Sequence, residues 1–180
     1  AVADQLRPEA KATVAALKKA GIKKVVMLTG DNEGTARAIA AQAEIDEYRS
    51  QLMPEDKVEA VRQLKQKYGR IAMVGDGVND APAMAAADVG IAMGAAGTDI
   101  ALETADLALM SDDLSKIPYA LGISRKAMTV IKQNVAASLA IVALVVTLAL
   151  IGKIGLVPGL LINEGSALVV MVNGLRLLRS

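Results

Sequence analysis

Short runs with strand character alternate with stretches of helical periodicity along the first two thirds of the chain. The strand-like runs are bounded by Gly, Pro, Asp or Asn and lie at residues 24–28, 48–52, 70–74, 89–93 and 107–110. Helical periods separate them, with Pro near some starts and Gly near some ends, at residues 10–20, 33–44, 56–68, 82–87 and 98–104. This alternation predicts an α/β fold with a doubly wound parallel sheet covered by helices on both faces.

The last third of the chain has a different pattern. Residues 133–152 contain no charged side chain, and residues 154–175 contain only Glu164. Each stretch has the length of about 20 residues that a helix needs to cross roughly 30 Å of hydrocarbon. We therefore predict a soluble domain at 1–118, a helical stalk at 119–132, transmembrane helices at 133–152 and 158–178, and a loop at 153–157. The alternative is a pair of buried helices in a soluble core.

Basic residues predict how the two spans are oriented. They precede the first span and follow the second, while the connecting loop holds only Lys153. Because positive charge is enriched on the cytoplasmic side, both ends of the hairpin are expected in the cytoplasm and the 153–157 loop outside. The sequence thus predicts a multi-pass protein of the plasma (inner) membrane with its soluble domain in the cytoplasm.

Composition narrows the chemistry. The net charge of +1 argues against a nucleic-acid partner. The chain has neither cysteine nor histidine, so a general base or metal ligand is expected to be a carboxylate, amide, hydroxyl, thioether or backbone group, with lysine or tyrosine as less usual bases. The first residue is Ala rather than Met, and no secretory signal follows it, which we interpret as the cut end of a longer protein.

Three polar loops follow three of the predicted strands. They are Thr29-Gly30-Asp31-Asn32, Met53-Pro54-Glu55-Asp56-Lys57, and the turn from Gly75 to Asp80 that contains Asp76 and Asn79. The carboxyl ends of parallel strands in a doubly wound sheet converge on one crevice, so these side chains are expected to meet there. A hydroxyl, an ammonium group and a pair of acids suit phosphoryl transfer with Mg²⁺. Taken singly, Gly-Asp-Gly is a common turn and a lysine near a helix start is usually solvated.

The same segments resemble the late phosphorylation-domain motifs of the P-type ATPases, whose catalytic domain has a haloacid-dehalogenase-like fold. The match of Gly75-Asp76-Gly77-Val78-Asn79-Asp80-Ala81-Pro82-Ala83 is the most specific. Two further segments, Ala101-Leu102-Glu103-Thr104-Ala105-Asp106 and Val172-Asn173-Gly174-Leu175-Arg176-Leu177-Leu178, resemble the heavy-metal-transporting branch. The resemblance covers essentially the whole chain and makes residues 1–118 the C-terminal part of a phosphorylation domain.

The resemblance implies that ATP phosphorylates an aspartate and that the aspartyl-phosphate drives ion export. Asp76 would ligate Mg²⁺, with Asp80 in the same metal site, and Asn79 and Asp80 would order the phosphate site and its lysine. Thr29 and Gly30 would bind the phosphoryl group, Asp31 would act on the nucleotide side, and Lys57 would stabilise the transferring charge.

One departure from the family pattern is large. The Asp-Lys-Thr-Gly-Thr motif that carries the phosphorylated aspartate does not occur in these residues. The chain alone is therefore expected to be inactive and to need the N-terminal part of the same pump as its partner. The alternatives are a membrane-anchored haloacid-dehalogenase-like phosphatase and a truncated, non-catalytic membrane module.

Glu164 is the candidate for the ion pathway, since an acid inside a membrane span usually faces a polar path. Asn163-Glu164-Gly165-Ser166-Ala167 resembles the His-Glu-Gly-Ser/Thr signature of the cobalt/zinc-type branch, with Asn163 in place of histidine. The expected cargo is a divalent ion: zinc, cobalt or cadmium. Alternatively, a helix that starts at Pro158 puts Glu164 only about 9 Å from its end, where water could solvate it. Met128 and Met171 are expected in lipid or core packing, and Ser138, Thr147 and Asn173 are expected to bond to neighbouring backbone or helices.

Overall fold

The computed structural model describes residues 6–75, 79–94 and 103–179. Contacts divide the chain into two compact units, Ala1–Pro118 and Tyr119–Ser180. Asp76, Gly77 and Val78 of the predicted magnesium turn lie outside the described residues. So does most of the predicted 98–104 helix, of which Glu103 and Thr104 are described and are helical.

The first unit contains the alternating helices and strands that the sequence predicts. In chain order they are α1 Ala10–Lys19, β1 Val26–Leu28, α2 Glu33–Ala43, β2 Glu47–Arg49, α3 Pro54–Tyr68, β3 Ala72–Gly75, α4 Ala81–Ala86, β4 Val89–Met93 and β5 Leu107–Leu109. The differences from prediction lie at the ends of elements.

Local capping explains the ends of α2. The Asn32 side chain accepts a hydrogen bond from Thr35 N at 3.0 Å, which starts the helix at Glu33. Glu44 adopts a left-handed conformation (φ 57°), so the helix ends at Ala43, one residue before the predicted end.

A different cap explains why α3 begins two residues before its predicted start. Pro54 occupies the first turn, where its missing N–H costs nothing. The Asp56 carboxylate accepts a hydrogen bond from Met53 N at 3.0 Å, which satisfies another backbone donor at the helix start. The helix buries Ala60, Val61 and Leu64.

The strands are parallel, as predicted, but they form two sheets rather than one. β1 pairs with β2, and β3, β4 and β5 pair in that order. β1 and β3 therefore each have one edge with no strand partner among the described residues. The predicted haloacid-dehalogenase-like α/β fold with parallel strands is confirmed, and the pairing of the described strands in two groups is a detail that the sequence did not predict.

The predicted 48–52 strand ends early, at Arg49, because the chain turns there. Gln51 has a φ of 57°, outside the extended region. The Gln51 and Leu52 N–H groups donate to Asp31 O and Thr29 O, at 2.8 and 3.1 Å. Residues 51 and 52 thus bind the loop after β1 instead of extending β2.

The second sheet has the clearer hydrophobic core. On one side Ile91, Met93, Leu109 and Ile117 are buried together. Ala81, Met84 and Ala92 form a second buried cluster, which fixes α4 against β4.

The second unit is built from two long apolar helices. Helix α5, Lys116–Leu150, begins three residues before the predicted stalk, continues into the predicted first span without interruption and ends two residues before the predicted end of that span. Helix α6, Leu156–Leu175, is followed by a 3₁₀ turn at Arg176–Arg179. By length and composition both helices are long and apolar enough to cross a membrane.

Helix α6 begins at Leu156, two residues before the predicted boundary, so Pro158 lies within its first turn. Glu164 is therefore eight residues from the helix start, about 12 Å by helical rise rather than 9 Å. Gly159 is buried, and a side chain there would meet Val145 Cγ1 of α5 at 3.4 Å. The missing side chain allows the two helices to approach closely at this point.

Candidate functional site

The loop after β1 is organised around Thr29. Its hydroxyl donates to Asp31 Oδ2 at 2.8 Å and accepts from Asp31 N at 3.1 Å. Its backbone N–H donates to Arg49 O at 3.0 Å, so the loop begins in register with the neighbouring strand. The two side chains are half-buried and form a small polar cluster at the carboxyl end of β1.

Residues 51–53 connect this loop to α3. The backbone N–H groups of Gln51 and Leu52 donate hydrogen bonds to the carbonyls of Asp31 and Thr29, which holds the two segments together. A side chain at Gly30 would come within 3.4 Å of Leu52 O, so the glycine keeps the two segments close. Because Met53 caps α3, the position of the loop after β1 is tied to that of Lys57, which lies in the first turn of α3.

Glu33 ties the start of α2 to β2, a role that the sequence analysis missed. Its carboxylate accepts hydrogen bonds from Ser50 Oγ at 2.6 Å, Tyr48 OH at 2.8 Å and Arg37 at 3.1 Å. The Ser50 hydrogen bond, with those from Tyr48 and Arg37, lowers the pKa of Glu33 from 4.5 to about 2. The only signal for Glu33 in the sequence was that it is an acid in the first turn of a predicted helix. Such an acid is favoured by the helix dipole alone, so the signal does not indicate a tertiary contact.

Lys57 and Asp80 form the ion pair at the carboxyl end of β3. Lys57 Nζ lies 2.7 Å from Asp80 Oδ1, and the two side chains are only 18% and 16% exposed. This pair brings together two of the three loops that the sequence placed in one crevice. At such low exposure it is less screened than the other ion pairs of the unit.

Gly75 makes room for Asp80. A Cβ at position 75 would lie 2.6 Å from Asp80 Cβ and 2.8 Å from Asp80 Oδ2, far inside van der Waals contact. The end of β3 therefore accepts no side chain while Asp80 keeps its position. Asn79, beside it, is exposed to solvent.

In the second unit, Asn163 and Glu164 line a cleft between α5 and α6. The cleft has a volume of about 450 Å³, and its walls are formed by Ser138, Val142, Asn163, Glu164, Ser166, Ala167, Val170 and Met171. Met171, expected in lipid or core packing, is thus on the cleft wall. Glu164 and Asn163 are both exposed within the described residues.

Two amides join α5 and α6 at one end of this cleft. Asn173 Nδ2 donates to Asn134 Oδ1 at 2.7 Å, and Asn134 Nδ2 donates to Val170 O at 3.4 Å. Arg176 also donates to Asn173 Oδ1, at 3.1 Å. The expected helix-to-helix bonding of Asn173 is confirmed, and Thr147 bonds to Ala143 O as expected.

Comparison with known proteins covers both units. The family profile of haloacid dehalogenase-like hydrolases matches residues 1–88. A probable cadmium-transporting ATPase of Alkalihalophilus pseudofirmus is 51% identical over 99% of this chain and 25% of its own length. A probable cation-transporting ATPase G of Mycobacterium tuberculosis is 52% identical over 98% of this chain and 23% of its own length. A crystal structure of a zinc-transporting PIB-type ATPase in the E2.Pi state matches 97% of this chain and 28% of that one, at 43% identity and a TM-score of 0.90.

Over 98–99% of its length the chain resembles proteins named as cadmium-transporting and cation-transporting ATPases. This resemblance to heavy-metal-transporting P-type ATPases, the haloacid-dehalogenase-like fold with parallel sheets and the pair of long apolar helices agree with the sequence analysis. The chain spans about a quarter of the length of the curated relatives that it matches.

Within this chain the predicted site residues divide into three groups. Lys57 meets Asp80, and Thr29 meets Asp31 beside Gly30, but no hydrogen bond links the two pairs directly in the described part of the chain. Asn163 and Glu164 share the cleft. Asp76 lies outside the described residues.

Potential metal ligands are sparse in the described residues. Across residues 6–75, 79–94 and 103–179, no three His, Cys, Asp or Glu side chains lie close enough together to hold an ion. Glu164 is thus without a second acid from the described residues in its cleft, whose other polar side chains are Ser138, Asn163 and Ser166.

Proposed function

We propose that this chain is the C-terminal part of an ATP-driven export pump for divalent heavy-metal ions that works through an aspartyl-phosphate. Residues 1–118 supply the phosphate and Mg²⁺ side of the phosphorylation domain on the cytoplasmic face. Residues 119–132 form a stalk, and 133–152 and 158–178 cross the inner membrane, joined by an extracytoplasmic loop at 153–157. The N-terminal part of the pump supplies the phosphorylated aspartate.

The Lys57–Asp80 ion pair is the observation that carries this proposal. A half-buried ammonium group at the carboxyl end of parallel strands is suited to neutralise the charge on a transferring phosphoryl group. Asp80 fixes the direction of the Lys57 side chain through the 2.7 Å contact. Such preorganisation means that Lys57 needs no rearrangement when the charge develops.

The loop after β1 is suited to hold phosphate oxygens. The Thr29 hydroxyl lies at the strand end, and Gly30 N–H has no hydrogen-bond partner among the described residues. The Gly30 N–H is a donor of the kind that binds phosphate, and Thr29 would join it by turning its hydroxyl proton from Asp31 Oδ2 toward the phosphate. Asp31 would then act on the nucleotide side.

The donor set at the end of β3 fits Mg²⁺. The side chains there offer oxygen ligands, and Gly75 leaves Asp80 Oδ2 free of any protein hydrogen bond in the described residues. Asp76, with Asp80 in the same site and Asn79 beside it, would hold the ion. When bound, Mg²⁺ would neutralise phosphoryl charge, while Lys57 and Thr29 bind and orient the group.

The cleft between α5 and α6 is our candidate for part of the ion pathway. Glu164 is the only acid in α6, and at about 12 Å from the helix start it is deeper than the sequence indicated. Asn163 and Glu164 offer oxygen ligands, which favour a divalent ion such as zinc, cobalt or cadmium over copper(I).

The test is metal-stimulated phosphorylation of the complete pump by ATP, measured with zinc, cobalt, cadmium and copper(I). We expect a divalent ion to stimulate it and Asp76→Asn to impair Mg²⁺-dependent phosphorylation severely. Glu164→Ala should spare phosphorylation by inorganic phosphate but abolish the dependence on metal. Leu160→Ala, in the same helix but away from the cleft, is the control. Metal-dependent phosphorylation that survives Glu164→Ala unaltered would remove Glu164 from the ion pathway.

A further inference from the structure

Three hydroxyl side chains of the two long helices bond to the preceding turn of their own helix, and Ser138 does not. Thr129 donates to Arg125 O, Thr147 to Ala143 O and Ser166 to Asn163 O, at 3.0, 2.8 and 2.6 Å. These are the bonds to the preceding turn that Ser and Thr usually make in apolar helices. Ser138 has no hydrogen-bond partner in the described part of the chain, although it is half-buried and lines the cleft. The expectation that it bonds to neighbouring backbone is wrong.

The unused hydroxyl faces the same cleft as Asn163 and Glu164. Three different oxygen donors, a hydroxyl, an amide and a carboxylate, therefore line one space of about 450 Å³ between the two helices. Because Ser138 makes no hydrogen bond in the described residues, its hydroxyl oxygen is available to a ligand in this cleft.

The amide bridge keeps Ser138 on this face. Asn134 lies one helical turn before Ser138, so the two side chains share a face of α5. Asn134 bonds to Asn173 and to the carbonyl of Val170, and Val170 is itself part of the cleft wall. These bonds fix the rotation of α5 against α6 at the end of the cleft, and thus which residues of α5 face Glu164.

We infer that the Ser138 hydroxyl oxygen is a further ligand of the transported divalent ion, alongside Asn163 and Glu164. This inference rests on the proposed function and adds a residue of α5 to a site otherwise drawn from α6. Oxygen ligands of this kind suit hard and borderline divalent ions. A single carboxylate leaves much of the ion's charge to other ligands, so Ser138 is expected to tune affinity rather than to decide whether the ion binds at all.

The experiment uses the complete pump reconstituted in phosphatidylcholine vesicles and measures metal-stimulated phosphorylation against metal concentration. We expect Ser138→Ala to raise the half-saturating concentration of the preferred divalent ion about tenfold, the scale seen when groups around a metal site are removed. Phosphorylation by inorganic phosphate without metal should stay at the wild-type level. Ser138→Thr, which keeps a hydroxyl, should restore the wild-type concentration.

Ser166→Ala is the matched control. It removes a hydroxyl from the same cleft, but one already bonded to the Asn163 carbonyl. A shift of similar size in both alanine variants, or no shift in Ser138→Ala, would overturn the inference.

Ser138→Cys separates a ligand from a packing residue. A sulfur ligand should lower the half-saturating concentration of cadmium relative to that of cobalt, because thiolates favour softer ions. An unchanged cadmium-to-cobalt ratio would count against direct ligation. If the wild-type pump shows no metal-stimulated phosphorylation, the proposed function fails and the inference fails with it. If Glu164→Ala abolishes the response while Ser138→Ala leaves it unchanged, only the role of Ser138 is lost.

Discussion

Glu33 shows how one side chain sets the position of a loop that carries other chemistry. Its three hydrogen-bond donors come from α2, from β2 and from the turn after β2. They hold the start of α2, and with it the Thr29–Asn32 loop, beside residues 50–52. The sequence predicted Thr29, Lys57 and Asp80 as site residues because glycines and strand ends surround them. The sequence did not predict a role for Glu33, because its contacts with Tyr48 and Ser50 form only when β2 pairs with β1 in the folded chain.

The lowered pKa of Glu33 predicts a pH-dependent stability. The folded state holds this pKa at about 2 against an ordinary 4.5, so its contribution is fully present above about 4.5 and is lost as pH falls toward 2. Glu33→Gln should therefore lower the urea midpoint of the chain in detergent most at neutral pH. The difference from wild type should shrink through that window, as followed by circular dichroism.

Glu55→Gln is the control for this titration, because Glu55 is exposed and forms no ion pair or side-chain hydrogen bond in the described residues. The urea midpoint of Glu55→Gln should differ little from that of wild type at neutral pH, where the effect of Glu33→Gln is largest. A Glu33→Gln difference that stays constant down to pH 2 would contradict the assigned origin of the pKa shift.

At the scale of elements, the hydrophobic periodicity predicted whether a segment is a helix or a strand better than it predicted where the element ends or which strands pair. Helix α2 ends at a residue with left-handed backbone angles, and α3 begins at a side-chain cap. The hydrophobic pattern does not encode these local features, so it could not predict the helix ends. The division into two sheets was not predictable, since strand pairing is decided by contacts across the whole domain. The 119–132 stalk and the 133–152 span are parts of one helix, because no Gly or Pro between them breaks the helical period.

The amide bridge between α5 and α6 predicts a measurable coupling. Replacing Asn134 and Asn173 by Leu, singly and together, should show a coupling free energy of about 0.6 kcal/mol, typical of hydrogen bonds between membrane helices. The measurement is a double-mutant cycle on unfolding of the chain in mixed detergent micelles.

Asn134→Leu combined with Thr147→Val provides the comparison. Thr147 bonds only within its own helix, so these two changes should be additive. Coupling as large in this second cycle as in the first would mean that the Asn134–Asn173 bond is not its source.

The whole molecule joins a unit of helices and parallel strands to a pair of long apolar helices in one chain. This division and the family resemblance were predictable from the sequence, because the motifs that carry them occur close together along the chain. The cleft was less predictable from the sequence, because the helix ends, the amide bridge and the free Ser138 hydroxyl depend on how α5 packs against α6. The Asp-Lys-Thr-Gly-Thr motif does not occur in these 180 residues, and the proposed function therefore assigns the phosphorylated aspartate to the N-terminal part of the pump.

We predict that this chain, purified alone in detergent, shows no metal-stimulated ATP hydrolysis. The physical reason is the missing Asp-Lys-Thr-Gly-Thr aspartate, without which Lys57 and Thr29 have no phosphoryl acceptor to serve. Phosphate release and acid-stable phosphoenzyme should both be at background, with the complete pump in the same detergent as the positive control. Robust hydrolysis with a trapped acyl-phosphate on this chain would refute the prediction.

The tight fit of Gly75 against Asp80 has a consequence for how this family can change over time. A larger residue at 75 displaces Asp80, and a smaller residue at 80 leaves the Lys57 ammonium without its partner. A single substitution at position 57, 75 or 80 thus weakens the contact between Lys57 and Asp80 before a second substitution can compensate. We expect the three to be inherited together as one unit, even where neighbouring exposed positions such as Glu55 drift freely.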